Sequence, residues 1–261
     1  MTSNLFSVKD KIILITGASS GLGCHFAKVL ANEEGARIAI AARRVDKLQL
    51  LAQDIHSKGG IALPIALDIK NFASIHAGIS LIEKELGAID VLINNAGVDT
   101  RKTFLDHAEA DWDTILNTNL KGTCVMSQQV VKHMLNHHKK GSIINISSAA
   151  DVITYVGGSP AYLTSKAGVS HLTRVLALEL ASHQIRVNAI APAGFFTECT
   201  ADLFSGDFGG VIKQKIPLQR YGELDDINGP LLLLSSEASR YMTGCIIRVD
   251  GGLAINKIIL S

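Results

Sequence analysis

The sequence is poor in aromatic residues and has no excess of either charge. Aromatic side chains make up 5% of the 261 residues, and 25 Lys and Arg residues oppose 24 Asp and Glu residues, which leaves a net charge of +1. A surface that attracts nucleic acid or anionic lipid is strongly basic, and a surface that stacks on bases is rich in aromatic side chains. We therefore expect this chain to bind neither nucleic acid nor a membrane.

Cysteine is scarce, and its spacing lacks any pairing motif. The four cysteines lie far apart, at Cys24, Cys124, Cys199 and Cys245. A zinc cluster or a thioredoxin-like site needs a Cys-x-x-Cys pair, and a chain of this size does not depend on a disulfide framework. The nine histidines show no ligand spacing and no nucleophile motif. We expect no metal site, and buried thiols rather than disulfides.

Long hydrophobic runs are also missing. The leucine run at 231–234 is far shorter than the roughly 20 residues that span a bilayer. The segment 1–11 has no apolar stretch typical of a signal peptide. Hydrophobic residues nevertheless make up 47% of the chain, which is enough for a large core. Because no linker, repeat or low-complexity tract divides the chain, we predict one domain over residues 1–261, located in the cytoplasm.

Short apolar runs alternate with amphipathic helical patterns along the whole chain. The runs predicted as buried strands cover residues 11–16, 36–42, 61–67, 89–94, 142–146, 185–190 and 246–249. The third run contains Pro64, which weakens that prediction because a strand tolerates proline mainly at a sheet edge. The helical patterns cover residues 23–33, 44–57, 74–85, 112–138, 161–182 and 223–235. The alternation predicts an α/β protein with a Rossmann-like, doubly wound, mostly parallel seven-stranded sheet and helices on both faces.

Basic residues followed by a glycine mark the end of one predicted helix. Residues 137–141 read His-His-Lys-Lys-Gly. Cations favour the negative end of the helix dipole, and glycine commonly ends a helix. We predict that the helix at 112–138 ends here, with Gly141 as its stop.

One segment interrupts the alternation between the sixth and seventh predicted strands. Residues 198–217 contain three glycines, with Phe204 and Phe208 among polar residues. A long irregular or lightly helical insert in a compact domain often covers a site. We interpret 198–217 as a lid, with a plain surface loop as the alternative.

A glycine-rich turn directly follows the first predicted strand. Thr16 to Gly23 reads TGASSGLG, and a helical pattern follows. The glycines let the backbone approach a diphosphate, and the helix N-terminus supplies N–H donors and the positive end of its dipole. The spacing is GxxxGxG rather than GxGxxG, and the Gly-Lys-Ser/Thr ending of an ATP- or GTP-binding loop is missing. At the end of the first strand of a doubly wound sheet, such a turn predicts a dinucleotide site.

Two arginines stand where NAD-binding folds usually have an acidic residue. In those folds a carboxylate about 20 residues beyond the glycines holds the ribose 2′-hydroxyl. In this chain Arg43 and Arg44 fill that place, at the end of the second strand. A guanidinium binds the 2′-phosphate that a carboxylate would repel. We predict that NADP(H) is preferred and that NAD(H) is also possible; the alternative is that both arginines are solvated charges at a helix start.

Tyr162 and Lys166 are one helical turn apart in the segment AYLTSKAG. This spacing places both side chains on one helix face. A nearby ammonium stabilises phenolate, so we expect the pKa of Tyr162 to fall toward neutrality and its hydroxyl to exchange a proton with a substrate oxygen. The preceding strand ends in Ser147 and Ser148, at the same edge of the predicted sheet.

Taken in order, these motifs resemble those of the short-chain dehydrogenase/reductase family over residues 9–253. The matching segments are TGASSGLG at 16–23, NNAG at 94–97, NTN at 117–119, NISS at 145–148, YLTSK at 162–166 and IRVNAIAP at 185–192. The resemblance implies an oxidoreductase that transfers a hydride between a nicotinamide cofactor and a carbonyl/secondary alcohol pair. Within the family, the chain looks most like the soluble group of 3-oxoacyl-carrier-protein reductases and polyol or sugar dehydrogenases.

The resemblance also implies roles for four candidate catalytic residues. Tyr162 would be the general acid/base, and Ser148 would hydrogen-bond the substrate oxygen, with Ser147 as its alternative. Lys166 would bind the nicotinamide ribose and lower the pKa of Tyr162, and Asn119 would hold a water that links the lysine to a proton relay. The implied cofactor contacts, with the two arginines included, are Gly17, Ser19, Ser20, Gly21, Leu22, Gly23, Arg43, Arg44, Asp68, Ile69, Asn95, Ala96, Gly97, Tyr162, Lys166, Pro192, Phe195 and Thr197. For Asn94 and Asn95, a structural role that ties loops to strands is expected as well.

One segment departs from the family pattern. After the sixth strand the family usually reads Pro-Gly, whereas this chain reads Pro192-Ala193-Gly194. Either Ala193 replaces the glycine or one residue is inserted, and both readings weaken the predicted contacts of Phe195 and Thr197. The phenylalanines at 195, 196, 204 and 208 could form an apolar pocket wall or pack in the core.

The preferred function is the NADP(H)-dependent interconversion of a ketone and a secondary alcohol of a small-molecule substrate. The narrower alternatives are a 3-oxoacyl-carrier-protein reductase and an NAD-linked sugar or polyol dehydrogenase. A different class is a nucleotide-binding regulator without catalysis, which would not need all four candidate catalytic residues. The resemblance further implies a homotetramer built on the helices at 112–138 and 161–182, and the apolar tail at 256–261 is predicted to pack against a neighbouring subunit.

Overall fold

The computed structural model describes residues 5–154, 158–196 and 207–255, and only the backbone of residues 207–209. Within these ranges, seven strands form one sheet in the order β3-β2-β1-β4-β5-β6-β7, with every neighbouring pair parallel. The strands are β1 Ile12–Thr16, β2 Arg37–Ala42, β3 Ile61–Ala66, β4 Val91–Asn94, β5 Gly141–Ile146, β6 Ile185–Pro192 and β7 Ile246–Val249. The predicted strands and the doubly wound α/β class are confirmed.

Helices connect the strands and cover both faces of the sheet. The α-helices within the described ranges are α1 Gly21–Lys28, α2 Val45–Ser57, α3 Phe72–Glu85, α4 Glu109–Leu116, α5 Thr123–Asn136, α6 Pro160–Leu180, α7 Asp207–Lys215 and α8 Asn228–Ser235. No helix in the described part of the chain is long and apolar enough to cross a bilayer. Of the predicted lid at 198–217, residues 198–206 lie outside the described residues, and α7 occupies most of the remainder.

The strands are buried on both faces, which explains their unbroken apolar runs. In β1, Ile13 and Ile15 belong to the core beneath α1, α2 and α8, while Ile12 and Leu14 belong to the core beneath α3, α5 and α6. The strand order reverses between β1 and β4, because β2 and β3 extend to one side and β5 to β7 extend to the other. At such a reversal the carboxyl ends of the strands leave a crevice that commonly holds a ligand.

The helix predicted over residues 112–138 is present but contains a π-helical turn. The π-helical turn Asn117–Gly122 separates α4 from α5. A π-helical turn inserts an extra residue into the helical repeat, which the spacing of apolar residues alone does not reveal. Such turns are frequent at functional sites, and this one carries Asn119.

The predicted glycine stop of this helix is wrong. α5 ends at Asn136, and the left-handed conformation after it belongs to His138, with a φ of 51°. Gly141 is the first residue of β5 instead. A Cβ on Gly141 would lie 2.7 Å from Met134 Cε, so the lack of a side chain lets β5 pass close to α5.

The prediction of buried thiols holds only in part. Cys24 and Cys245 are half-buried, whereas Cys124 is exposed on α5. The neighbouring Thr123 is buried, so the helix turns Cys124 toward solvent. Cys199 lies outside the described residues.

Candidate active site

The glycine-rich turn lies at the point where the strand order reverses, and its glycines determine its shape. Gly17 and Gly21 have φ values of 67° and 55°, which strain any residue with a Cβ. A Cβ on Gly23 would lie 2.5 Å from Asn95 Nδ2 and 2.6 Å from the Gly17 carbonyl oxygen. The Ser20 side chain does not cap α1, so it leaves the N–H groups of the first turn to a ligand.

Hydrogen bonds hold this turn against the end of β4. Thr16 Oγ1 accepts the N–H groups of Asn95 and Ala96 at 3.1 Å and 3.2 Å. Asn95 Nδ2 donates to the carbonyl oxygens of Thr16 and Gly17, each at 3.1 Å. Asn94 Nδ2 donates to Ser127 Oγ of α5 and to Asn145 Oδ1 of the neighbouring β5, each at 2.9 Å. The side chains of both asparagines therefore hold the strand ends together. A cofactor contact of Asn95 would have to use atoms other than Nδ2 and the backbone N–H.

Arg44 links the end of β2 to the glycine-rich turn. Its Nη2 donates to Ser19 Oγ at 2.8 Å and to Ser20 Oγ at 2.7 Å, and its Nε donates to Ser19 Oγ at 3.2 Å. Arg43 and Arg44 are both exposed. One guanidinium and two hydroxyls thus lie together. Groups of these types donate hydrogen bonds to phosphate oxygens.

Asp68 and Ile69 follow β3 at the same edge of the sheet. Asp68 Oδ1 accepts the N–H of Lys70 at 2.9 Å, and the N–H of Asp68 donates to Ser74 Oγ at 3.0 Å. Ile69 is buried, and a Cβ on Gly122 of the π-helical turn would lie 3.0 Å from it. Ile69 therefore supports the π-helical turn, and only the half-buried Asp68 faces the edge.

Tyr162 and Lys166 lie on one face of α6, as their spacing predicts. Lys166 Nζ is 5.7 Å from the centroid of the Tyr162 ring and donates to the carbonyl oxygen of Ile146, at the end of β5, at 2.8 Å. The Lys166 side chain is buried, and this burial lowers its pKa to about 8. Tyr162 is half-buried. An ammonium therefore lies beside a partly exposed phenol.

The two serines after β5 have different surroundings. Ser147 is buried, and its Oγ lies 3.0 Å from the Lys166 carbonyl oxygen and 2.7 Å from Ser170 Oγ. Ser148 is half-buried and caps the short turn Ala149–Asp151, with its Oγ accepting the N–H of Ala150 at 3.1 Å. Because the Ser147 hydroxyl is engaged in the interior, the geometry favours Ser148 as the hydroxyl that meets a substrate.

Asn119 lies in the π-helical turn, and its side chain holds the chain after β4. Its Oδ1 accepts the N–H of Val98 at 2.8 Å, and its Nδ2 donates to the Val98 carbonyl oxygen at 2.9 Å and to Ser165 Oγ at 3.0 Å. A Cβ on Gly97 would lie 3.5 Å from Asn119 Oδ1 and 3.6 Å from Lys166 Nζ. Asn119, Gly97 and Lys166 are thus close neighbours.

In the segment after β6, the left-handed position falls on Gly194 and not on Ala193. Gly194 adopts the left-handed φ of 67°, and its carbonyl oxygen accepts the N–H of Gly222 at 2.9 Å. The Phe195 side chain packs against Gly222 in the core and also lines a cavity with Ala193. Phe196 is about half exposed. Thr197, Phe204 and the tail at 256–261 lie outside the described residues, and nothing is described of the Phe208 side chain.

Sequence reasoning missed one cluster of potential metal ligands. Ligand atoms of Glu83, His133 and His137 lie within 4.8 Å of one another. The N–H of Ile89 donates to His133 Nε2 at 3.2 Å, so the neutral ring carries its proton on Nδ1, which faces Glu83 at 3.4 Å. Burial lowers the pKa of His133, which favours this neutral ring. We interpret the cluster as a hydrogen-bonded group. The sequence could have indicated it, because the two histidines are one helical turn apart.

The described candidate residues gather along one edge of the sheet. They follow the carboxyl ends of β1 to β6 in turn, and α6 and the π-helical turn add Tyr162, Lys166 and Asn119. The edge therefore brings together a glycine-rich turn at a helix N-terminus and a phenol beside an ammonium.

Comparison with known proteins identifies the family of this chain. Residues 11–207 match the short chain dehydrogenase family. The chain is 35% identical to 5-keto-D-gluconate 5-reductase of Escherichia coli, over 97% of this chain and 99% of the relative. It is 36% identical to a 3-oxoacyl-[acyl-carrier-protein] reductase of Staphylococcus epidermidis, over 94% and 99% of the two chains.

A solved structure has the same fold throughout. The gluconate 5-dehydrogenase of Burkholderia cenocepacia, in complex with NADP and tartrate, superimposes with a TM-score of 0.92 at 32% identity, over 97% of this chain and 99% of that one. The chain therefore belongs to the short-chain dehydrogenase/reductase family and is an oxidoreductase that acts on CH–OH groups with NAD(P).

Proposed function

We propose that this protein interconverts a ketone and a secondary alcohol with NADP(H), with Tyr162 as the general acid/base. The observation that carries the proposal is the position of Lys166 Nζ, 5.7 Å from the centroid of the Tyr162 ring, on a helix that begins at the ligand-binding edge of the sheet. An ammonium at this place favours the phenolate over the phenol. Tyr162 is therefore the group that we assign to exchange a proton with the substrate oxygen.

The residues present fit a dinucleotide. The glycine-rich turn and the N-terminus of α1 offer backbone donors to a diphosphate. In keeping with the family resemblance, we assign to Lys166 the hydroxyls of the nicotinamide ribose. When bound, the nicotinamide supplies or accepts the hydride.

The side chains of the protein transfer the proton to the substrate oxygen and stabilise the charge that develops on it. In reduction, Tyr162 donates its hydroxyl proton to this oxygen, while the Ser148 hydroxyl donates a hydrogen bond to the same atom and stabilises its developing negative charge. Lys166 stabilises the phenolate that remains on Tyr162. Asn119 holds the chain around Gly97 and Val98 beside Lys166, and we assign to it the water of the proton relay.

The donors around Arg44 support a preference for NADP(H) over NAD(H). We expect Arg44→Ala to raise the KM for NADPH about 10-fold or more, since an arginine–phosphate pair is lost, and to leave the KM for NADH nearly unchanged. Steady-state kinetics with both cofactors measure this effect. Arg240→Ala removes an exposed arginine elsewhere and serves as the control. Equal losses with the two cofactors would contradict the assignment.

The relatives suggest which substrates to test first. Two of the proteins described above are named for gluconate chemistry, and one is named for 3-oxoacyl groups on a carrier protein. We propose a keto sugar acid as the substrate class, with a 3-oxoacyl thioester as the second candidate. The test follows the absorbance of NADPH with 5-keto-D-gluconate, 3-oxoacyl thioesters, neutral ketoses and steroid ketones. Oxidation of NADPH with at least one of them is expected. Bound NADPH that no ketone of the panel oxidises would instead favour the nucleotide-binding regulator.

We further propose a homotetramer built on α4 to α6, in keeping with the family resemblance, and a lid role for the segment around α7. Val175 and Leu178 of α6 are exposed apolar side chains of the kind that subunit contacts cover. The single domain and the cytoplasmic location stay predictions from the sequence.

A further inference from the structure

Asp151 is a buried carboxylate close to the candidate active site. Its side chain is 1% exposed and lies 3.0 Å and 3.2 Å, through Oδ1 and Oδ2, from Arg248 Nη2. Arg248 belongs to β7, at the edge of the sheet, and its side chain is 30% exposed. A carboxylate in the interior must be paired and hydrogen-bonded to stay ionised. Arg248 therefore supplies the charge that keeps Asp151 in its place.

A second contact joins Asp151 to the helix that carries Lys166. Ser170 Oγ donates to Asp151 Oδ2 at 2.6 Å, and Ser170 is one turn beyond Lys166 on α6. Ser170 Oγ also lies 2.7 Å from Ser147 Oγ. The Ser147 hydroxyl donates to the Lys166 carbonyl oxygen at 3.0 Å, and the Ser170 hydroxyl donates to the carboxylate, so each of these protons already has an acceptor. Ser170 thus ties the Asp151 carboxylate directly to α6.

The third contact connects Asp151 to Ser148. The turn Ala149–Asp151 is capped by Ser148 at one end and ends with Asp151 at the other. The N–H of Asp151 donates to the Ser148 carbonyl oxygen at 3.0 Å, and Ser148 Oγ accepts the N–H of Ala150 at 3.1 Å. A turn this short moves as one piece, so a shift of the Asp151 carboxylate changes the direction of the Ser148 hydroxyl.

We propose that Arg248 and Asp151 are positioning residues for the reaction: their ion pair fixes the turn that carries Ser148 relative to α6, which carries Tyr162 and Lys166. This inference rests on the proposed function of Ser148 and Tyr162. Neither Arg248 nor Asp151 is one of the candidate catalytic or cofactor-binding residues. Their role is to hold two hydrogen-bonding groups at the spacing that one substrate oxygen requires.

The opposite end of the sheet offers a matched control. Arg186 on β6 is also partly buried, and its guanidinium donates to Ser239 Oγ at 2.7 Å and to the carbonyl oxygens of Leu234 and Ser236 at 3.2 Å and 3.3 Å. It lies at the amino end of its strand, away from the candidate site. A variant at Arg186 therefore lowers stability without touching the turn at Ser148.

The experiment compares Arg248→Met, Arg248→Lys and Arg186→Met with the wild-type enzyme. We expect Arg248→Met to lower kcat about 10–100-fold, as a small misplacement of a reacting group does, while the Kd for NADPH changes less than about twofold. Arg248→Lys keeps the charge and should recover most of kcat. Arg186→Met should lower the midpoint of thermal unfolding and leave kcat within about twofold of wild type.

The outcomes separate this inference from the proposed function. The positioning role alone is overturned if the wild-type enzyme is active and the kcat of Arg248→Met is close to wild type. The same conclusion follows if the kcat of Arg248→Met is no lower than that of Arg186→Met. An inactive wild-type enzyme that still binds NADPH overturns the proposed function instead. Should Arg248→Met fail to fold, Asp151→Asn takes its place, because the amide keeps the hydrogen bond from Ser170 and loses the charge; unchanged kcat in this variant also contradicts the inference.

Discussion

Replacement of Tyr162 by Phe is expected to reduce kcat by roughly 10²–10⁴-fold, the contribution typical of a general acid/base. The substitution removes one hydroxyl and leaves the ring in place over Lys166, whose Nζ is 5.7 Å from the ring centroid. The attraction between the ammonium and the ring face survives in the phenylalanine variant. The Kd for NADPH and the thermal midpoint should therefore stay close to wild type, so that the loss is confined to the chemical step.

The control for this prediction makes the same chemical change elsewhere. Tyr241 is fully exposed, and Tyr241→Phe also removes a single hydroxyl. We expect the kinetic constants of this control to match wild type. Steady-state kinetics with the best substrate and fluorescence titration with NADPH decide the matter. Undiminished turnover by the Tyr162→Phe enzyme would show that another group transfers the proton.

Gly17→Ala should cause the second large loss, in cofactor binding and in stability together. The φ of 67° at Gly17 is unfavourable for alanine by about 1–2 kcal/mol. The new Cβ would also lie 2.7 Å from Ala96 Cα and 2.9 Å from Ala96 N, which are backbone atoms that cannot rotate away. Overpacking of this kind adds about 1–3 kcal/mol. Relief of the clash must push the glycine-rich turn away from the end of β4, so we expect at least about 10-fold weaker NADPH binding as well.

Gly59 provides a control that separates backbone strain from collision. Its φ of 83° is also positive, but no heavy atom lies within 4 Å of the position of its Cβ. Gly59→Ala should therefore lower the free energy of unfolding only by the backbone strain, and it should bind NADPH like wild type. Thermal unfolding and NADPH titration of the two variants give the comparison. Equal stability losses in both would mean that the contact between Gly17 and Ala96 contributes nothing.

The fold could be predicted from the sequence because the apolar runs of the strands and the amphipathic spacing of the helices are both local patterns. Runs such as IILIT in β1 lack alternation since Ile12 and Leu14 face one core while Ile13 and Ile15 face the other. The candidate site could be predicted in outline for a related reason. The end of every parallel strand reaches the same edge, so the positions of Arg44 and Ser148 follow from the positions of β2 and β5.

What could not be predicted depends on contacts between distant parts of the chain. The ion pair of Asp151 and Arg248 joins residues 97 positions apart, and no sequence pattern indicates it. The π-helical turn at Asn117–Gly122 adds a residue to the helical repeat, and the apolar residues around it still read as one helix. Gly141 was predicted to end a helix, because the sequence does not show that β5 passes close to Met134 at this glycine.

Pro64 has a consequence for how copies of this chain can meet. It lies within β3, opposite Ile40 of β2, and β3 is an outermost strand of the sheet. Proline has no N–H, so the row of donors along β3 is interrupted. Such an interruption discourages edge-to-edge association, in which a foreign strand extends the sheet and seeds fibres. The growth of aggregates by strand addition is thereby disfavoured at β3, and assembly is left to the helical faces and to the other end of the sheet.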